Sequence, residues 1–431
     1  TILTGRERLA GARSARQPVA SPIVQQTDPT TGDRSVLSQS NRRRKSRRST
    51  NRSHRRHLAR GMERLEKRML LSADGWVATG FGNGYLQTDS EGSVYVASMV
   101  NSPDTDNDLV LAKYSADGTT EWTREFVVAG RDNVSDIAVD ESGQSLYIVG
   151  SYFDVNPFQP DVSSAGNLDM YVAKLSTVDG SVQWHRSWGT SDHDFAKGIT
   201  VSSGSVYVAG RVGPDPDGID FDGTIIAGQN REGSPAVIRK IDAESIDGRV
   251  VWAKQSNGSA NPVDIAVSHS ASNETRVTMG GIVANDVSFD AVGLSANERS
   301  HFVAQLIDNG NDASFTWARS YRTDLDFHAI ASDEAGIYAT GDFRLPNGEQ
   351  VDFGSGFLFE SRGSSDAYLL RLAHDDGSTV WANQIGGALQ DIVYDLTTDG
   401  ADDQLIVTGD FQDTAEFGSD VTMTSHVSFD G

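Results

Sequence analysis

The chain has 431 residues, no cysteine, 43 glycines and a formal net charge of −23. The missing cysteines exclude disulfide frameworks, cysteine-held metals and thiol catalysis together. Abundant glycine with 37% hydrophobic residues points to many short strands joined by turns rather than long helices.

Charge divides the chain. Of its 37 Lys+Arg, 18 fall in residues 1–71 beside only 5 of the 60 Asp+Glu, so the leader carries about +13 and the body about −36. A body that acidic repels nucleic acid and anionic membrane. No stretch reaches the 18 or so apolar residues of a membrane-spanning helix.

Residues 1–57 are predicted to be a disordered basic leader, because their polar composition and the run Arg42 to Arg48, with Arg52, Arg55, Arg56 and Arg60, cannot bury a core. Over 58–73, Leu58, Met62, Leu65 and Met69 share one face of a short basic amphipathic helix. Leu65 to Ala73 resembles the LEPR-XLL leader of large extracellular bacterial proteins, with Lys67 where that family usually has proline. The resemblance implies export to the outside or surface of a bacterial cell. A basic arm for nucleic acid is the alternative. The apolar run Met69-Leu70-Leu71 is too short for a conventional signal peptide.

From residue 74 the chain repeats. Trp122, Trp184, Trp252, Trp317 and Trp381 are separated by 62, 68, 65 and 64 residues, which is the mark of a repeat architecture. Five positions before each stands Asp117, Asp179, Asp247, Asp312 or Asp376. Glycine follows four of these aspartates, and Ala313 follows Asp312. Asp-Gly between alternating apolar runs predicts a hairpin turn leading into the Trp strand. A strand precedes each turn, as in Met170 to Leu175. Two more follow each tryptophan, as in Gly198 to Val201 and Val206 to Gly210. Four strands per unit of about 65 residues read as one propeller blade, so 74–431 is expected to be an all-β propeller of five complete blades. Residues 74–90 and 404–431 are expected to join as a composite sixth, cut short at Gly431.

Val206 to Gly210, Tyr171 to Leu175, Trp381 to Gly387 and the elements Asp352-Phe353-Gly354 and Glu416-Phe417-Gly418 resemble the bacterial β-propeller repeat family called SBBP. The Asp-Gly-x-x-x-Trp element is also similar to the Trp-docking repeat of quinone-cofactor dehydrogenases and, one residue out of register, to the Asp-box of sialidases. In both families it is a structural turn.

Site candidates are the unrepeated residues. His185, His193, Asp192 and Asp194 lie near Trp188 with spacing suited to a metal site or an acid/base pair, but ordinary loop polarity is the stronger reading of them. Asp104, Asp106 and Asp108, and Asp215, Asp217, Asp220 and Asp222, are possible oxygen ligands for Ca²⁺. Ser115 stands where an EF-hand needs glutamate, so solvated loop acids are the better reading and no cofactor is expected. The repeated tryptophans are read as core. No phosphate loop, nucleophile elbow or His-Glu-x-x-His is present. The leading expectation is therefore an exported, non-catalytic structural or interaction module binding an extracellular protein or polysaccharide. The alternatives are a polysaccharide hydrolase or lyase, or a quinoprotein-like oxidoreductase that would lack its usual vicinal cysteines.

Overall fold

The computed structural model describes residues 2–5 and 84–425, apart from 103–105, 216, 227–233, 297, 325, 347, 400–403 and 418–420. The basic run, the helix expected over 58–73, the leader motif, Trp76 and Asp104 lie outside the described residues. Every regular element among the described residues is a β-strand.

Five units each form a four-stranded antiparallel sheet, with strands paired in chain order. Sheet I comprises Gly84–Thr88, Val94–Ser102, Asp106–Tyr114 and Thr120–Phe126. Sheet II comprises Gly130–Val139, Ser145–Asn156, Asp169–Ser176 and Val182–Trp188, and sheet III Phe195–Ser202, Ser205–Arg211, Ala236–Asp242 and Val250–Asn257. Sheet IV holds Ala260–His269, Thr275–Val283, Ser300–Asp308 and Ala313–Arg322, and sheet V Phe327–Ser332, Ile337–Phe343, Asp366–Leu372 and Thr379–Gly387. Sheet VI pairs Asp391–Asp399 with Gln404–Phe411.

Two features depart from expectation. Gly84–Thr88 pairs with Val94–Ser102 and so belongs to sheet I, not to a composite with the 404–411 strand. That strand instead carries Ile2–Gly5 on its other edge, inside the span expected to be without regular structure. An edge strand presents a row of free N–H and C=O groups, and the short apolar Ile2-Leu3 segment satisfies part of it.

Apolar residues fill the space between successive sheets. Tyr95, Leu109 and Leu111 of sheet I meet Val134, Ile148 and Tyr171 of sheet II, and comparable clusters join II to III, III to IV, IV to V and V to VI. Each large side chain buried this way is worth roughly 1.5–3 kcal/mol. The first strands of consecutive sheets pack on one another from sheet I through sheet VI.

In sheets III, IV and V a small hairpin between the second and third strands carries Phe221, Phe289 or Phe353, each fully buried. The fourth strand of sheet III extends into the hairpin of sheet IV through Ser256↔Phe289, and Ile385↔Phe417 joins sheets V and VI likewise. Each such hairpin latches a unit to the one before it.

Candidate functional site

The repeated tryptophans also act between units. Trp122 and Trp317 donate their indole N–H to the carbonyls of Thr177 and His374 in the next sheet, at 2.9 and 2.7 Å. The Asp-Gly glycine of that next sheet lies against the indole ring. A Cβ on Gly180, Gly248 or Gly377 would come within 2.9, 2.7 or 2.5 Å of Trp122, Trp184 or Trp317. These glycines have φ of +70°, +67° and +69°, in loops longer than a two-residue hairpin. Their aspartates accept loop donors, as Asp179 does from Ser181 N and Asp376 from Ser378 N. The loop therefore serves the neighbouring tryptophan as much as its own hairpin.

The unit with Ala313 solves the same contact differently. Asp308 accepts from Trp252 Nε1, Tyr207 OH, Lys240 Nζ and Gly310 N at 3.1, 2.7, 2.7 and 2.9 Å. Burial opposes ionisation of Asp308, but donation from Lys240, Tyr207 and Gly310 outweighs it and holds the carboxyl below its ordinary value. Sequence reading missed Asp308 because only the fold brings its donors together.

The first strands carry two recurring features. The first is a bulge: pairing with the second strand shifts by one residue at Ser135, Lys197, Val263, His328 and Tyr394. A bulge re-aims one side chain out of the ladder. The same backbone device thus presents a hydroxyl, an ammonium, an isopropyl group, an imidazole and a phenol. His328 and Tyr394 meet edge to face at 6.0 Å across the boundary of sheets V and VI. His328 Nε2 shares a 2.8 Å hydrogen bond with Asp342 Oδ1, and Tyr394 OH donates to Asp410 Oδ2 at 3.2 Å.

The second feature is a layer of carboxylates one residue further on, in alternate sheets: Asp136, Asp264 and Asp395, with Gly198 and Ala329 between. Asp136 accepts from Ile137 N and, across the boundary, from Ile199 N at 2.7 and 2.8 Å. Asp264 does the same with Ile265 N and Ile330 N. Burial pushes Asp264 up to about 7, with the Asp395 charge adding to it. Burial also raises Asp136, reinforced by Asp264 and Asp395, and raises Asp395.

The residues singled out from sequence have separate partners. His185 stacks on Phe158 and is shifted down by burial, whereas His193 stacks on Phe195 at 6.0 Å. Asp194 is fully buried and accepts from Thr190 N, Thr190 Oγ1 and Gly213 N at 2.6–2.8 Å. Burial lifts its carboxyl to about 6 against those donors. Asp192 accepts from the N–H of His193. Asp215 takes Ser191 and Asp217 N–H donors, Asp220 takes Gly223 N, and Asp222 takes Arg186 and Val250 N. Asp106 opens a strand, and Asp108 is buried near Asp132, whose carboxyl burial and then Asp108 push up to about 7. Among the described residues no three His, Asp or Glu side chains gather as a metal site. Nor is any helix there long and apolar enough to cross a membrane.

The chain defined by these observations is an all-β protein of repeated antiparallel sheets locked together by Trp contacts and hairpins. No family model matches it, and no curated protein matches it. Among solved structures it is similar to hydrazine synthase of Kuenenia stuttgartiensis, with TM-score 0.41, 12% identity, and 75% of this chain and 72% of that one covered. It is also similar to a subtype N10 neuraminidase-like protein of A/little yellow-shouldered bat/Guatemala/060/2010, at 0.40, 10%, 76% and 93%. A third, quinohemoprotein alcohol dehydrogenase from Comamonas testosteroni, gives 0.36 and 13% over 70% of this chain and 44% of that one. Likenesses this distant carry no argument about activity.

Proposed function

We propose that the repeated sheets form a β-propeller and that it serves outside a bacterial cell as a non-catalytic binding module, whose ligand meets the bulged ends of the first strands. The packing of the first strand of each sheet on the first strand of the next, from sheet I through sheet VI, supports the propeller reading, since innermost strands gather in this way when blades surround a shared axis. The observation that carries the functional reading is the bulge itself. One recurring backbone geometry holds side chains as different as Lys197, His328 and Tyr394, as a recognition surface on a repeat scaffold would, while Ser135 at the same place is buried and Val263 packs on the core.

The test is a polysaccharide array probed with the full chain and with a Lys197→Ala/His328→Ala/Tyr394→Ala variant. Retained melting temperature with lost binding is expected. Unchanged binding would overturn the assignment of this surface. Export is checked by N-terminal analysis of protein from the outer fraction, expected to begin near Ser72 to Gly75. A cytoplasmic product keeping Arg42 to Arg60 would remove the extracellular part of the proposal.

One observation favours a polysaccharide hydrolase or lyase instead: the His328–Asp342 pair beside Tyr394 has the composition of a proton-transfer group. Under that reading His328→Ala would abolish turnover of a bound glycan while leaving binding intact.

A further inference from the structure

We infer that the bulged end of sheet III is an anion site, formed by Lys197 and Arg211 with His193 beside them, and that it takes the carboxylate of an acidic sugar residue in an otherwise neutral glycan. The inference rests on the binding-module reading and names the ligand class for that surface.

The argument begins with charge pairing. Lys113, Lys240, Lys254 and Arg186 each hold a carboxylate at 2.7–2.8 Å, whereas Arg124, Lys174 and Arg371 donate to backbone carbonyls. Among the described residues, Lys197 and Arg211 have no ion pair, although acids are close by. Asp194 is occupied by Thr190 and Gly213 N–H donors, and Asp192 accepts from the N–H of His193.

The two cations also share one aromatic ring. Phe195 stands opposite Arg211 in the ladder, and Lys197 is the bulged residue two positions on. Lys197 Nζ lies 4.8 Å, and the Arg211 guanidinium carbon 5.0 Å, from the centroid of that one phenyl ring. The His193 ring stacks on the same phenylalanine with an interplanar angle of 11°. A phenyl face attracts a cation but does not neutralise it. Burial lowers the Lys197 ammonium and Arg211 lowers it further, while burial lowers Arg211 against the pull of Asp192 and Asp194. Arg211 Nε is buried without a hydrogen-bond partner. An oxyanion accepting from both groups would satisfy that donor and relieve the repulsion at once, and guanidinium geometry suits two carboxylate oxygens.

Net charge narrows the ligand. A body of about −36 repels a dense polyanion, whereas one carboxylate on a neutral glycan is repelled far less and gains the local contacts.

The experiment titrates the full chain with methyl glucuronoside, methyl glucoside and inorganic sulfate, read by calorimetry and thermal shift. Glucuronoside is expected to bind, glucoside not to bind, and Lys197→Met or Arg211→Met to weaken glucuronoside at least tenfold. Melting curves establish that the variants fold, and Lys254→Met serves as a paired-cation control with unchanged affinity. Sulfate bound more tightly than glucuronoside would make this a small-anion site and overturn the sugar assignment. If no anion binds, or both variants bind as the parent does, the anion site itself is overturned. Array binding lost on His328→Ala alone would then leave the binding-module reading standing without this inference.

Discussion

The junction between sheets IV and V and the junction between sheets III and IV place a tryptophan at the same point and treat it in opposite ways. Trp317 is covered by Gly377, whose missing side chain lets the loop lie on the ring, and it donates to the His374 carbonyl. Trp252 has no such glycine below it and is held by a carboxylate, Asp308, that also gathers Lys240 and Tyr207. One contact works by shape and a neutral hydrogen bond, the other by a charge-assisted cluster. The difference teaches that the repeat conserves the need to fix the indole, not the means.

The largest effect is expected at the charged junction. Asp308→Ala leaves the sheltered Lys240 without its carboxylate and the Trp252 and Tyr207 donors without an acceptor, which should cost about 3–5 kcal/mol in urea unfolding. A cost below about 1 kcal/mol would show that the cluster is incidental. Gly377→Ala comes next. Its Cβ would sit 2.5 Å from the Trp317 ring at φ +69°, so overpacking and a strained backbone together should cost roughly 2–4 kcal/mol. The same change at Gly310, where a Cβ meets nothing within 4 Å but φ is +90°, should cost only the backbone part, about 1–2 kcal/mol.

Acidity separates the two kinds of carboxyl. Asp132, Asp194 and Asp264 have folded values of about 7, 6 and 7, above the roughly 3.9 of a free aspartate. Between those limits the folded state holds protons that the unfolded chain has released. Their contribution is therefore complete below about pH 4 and is lost as pH rises through about 7. Asp308, held low, behaves in the opposite sense and loses its contribution as pH falls below the ordinary carboxylate range. Melting temperature should fall from pH 5.5 to pH 8, and Asp132→Asn, whose parent carboxyl oxygens accept no hydrogen bond, should flatten part of that slope. A flat profile in the parent protein would remove these buried acids from the account. The smallest effect is expected at the exposed turn acid Asp117. Its replacement by alanine loses the hydrogen bonds from Thr119 N and Ser115 Oγ in a turn open to water, so the urea midpoint should move least of all.

Much of this was legible in advance. The spacing of Trp122, Trp184, Trp252, Trp317 and Trp381 announces the units, and alternation in stretches such as Val206 to Gly210 announces their strands, because period-2 burial is written directly in residue order. The Asp-Gly pairs were legible as turns but not as platforms for a neighbour's indole, since that role involves a residue about 60 positions away. The Phe353 and Phe417 elements were visible as a repeated motif, while their pairing as latching hairpins was not. Likewise the shortlist His185, His193, Asp192 and Asp194 came from proximity in the chain. In the fold His185 turns to Phe158 and Asp194 is taken up by the Thr190 and Gly213 donors, while His193 stacks on the phenylalanine that Lys197 and Arg211 share.

By itself the sequence determined an all-β repeat of four-stranded units, an acidic body distinct from a basic leader, and an aromatic at one recurrent place in each unit. Those follow from local periodicity and composition, which act between near neighbours. Only the tertiary structure decided which side chains leave the ladder at Ser135, Lys197, Val263, His328 and Tyr394, which carboxyls meet in the layer of Asp136, Asp264 and Asp395, and which cations stay unpaired. A bulge is a property of register between two strands, and a shifted carboxyl is a property of burial and of charges brought in from other sheets, so neither is encoded at any single position.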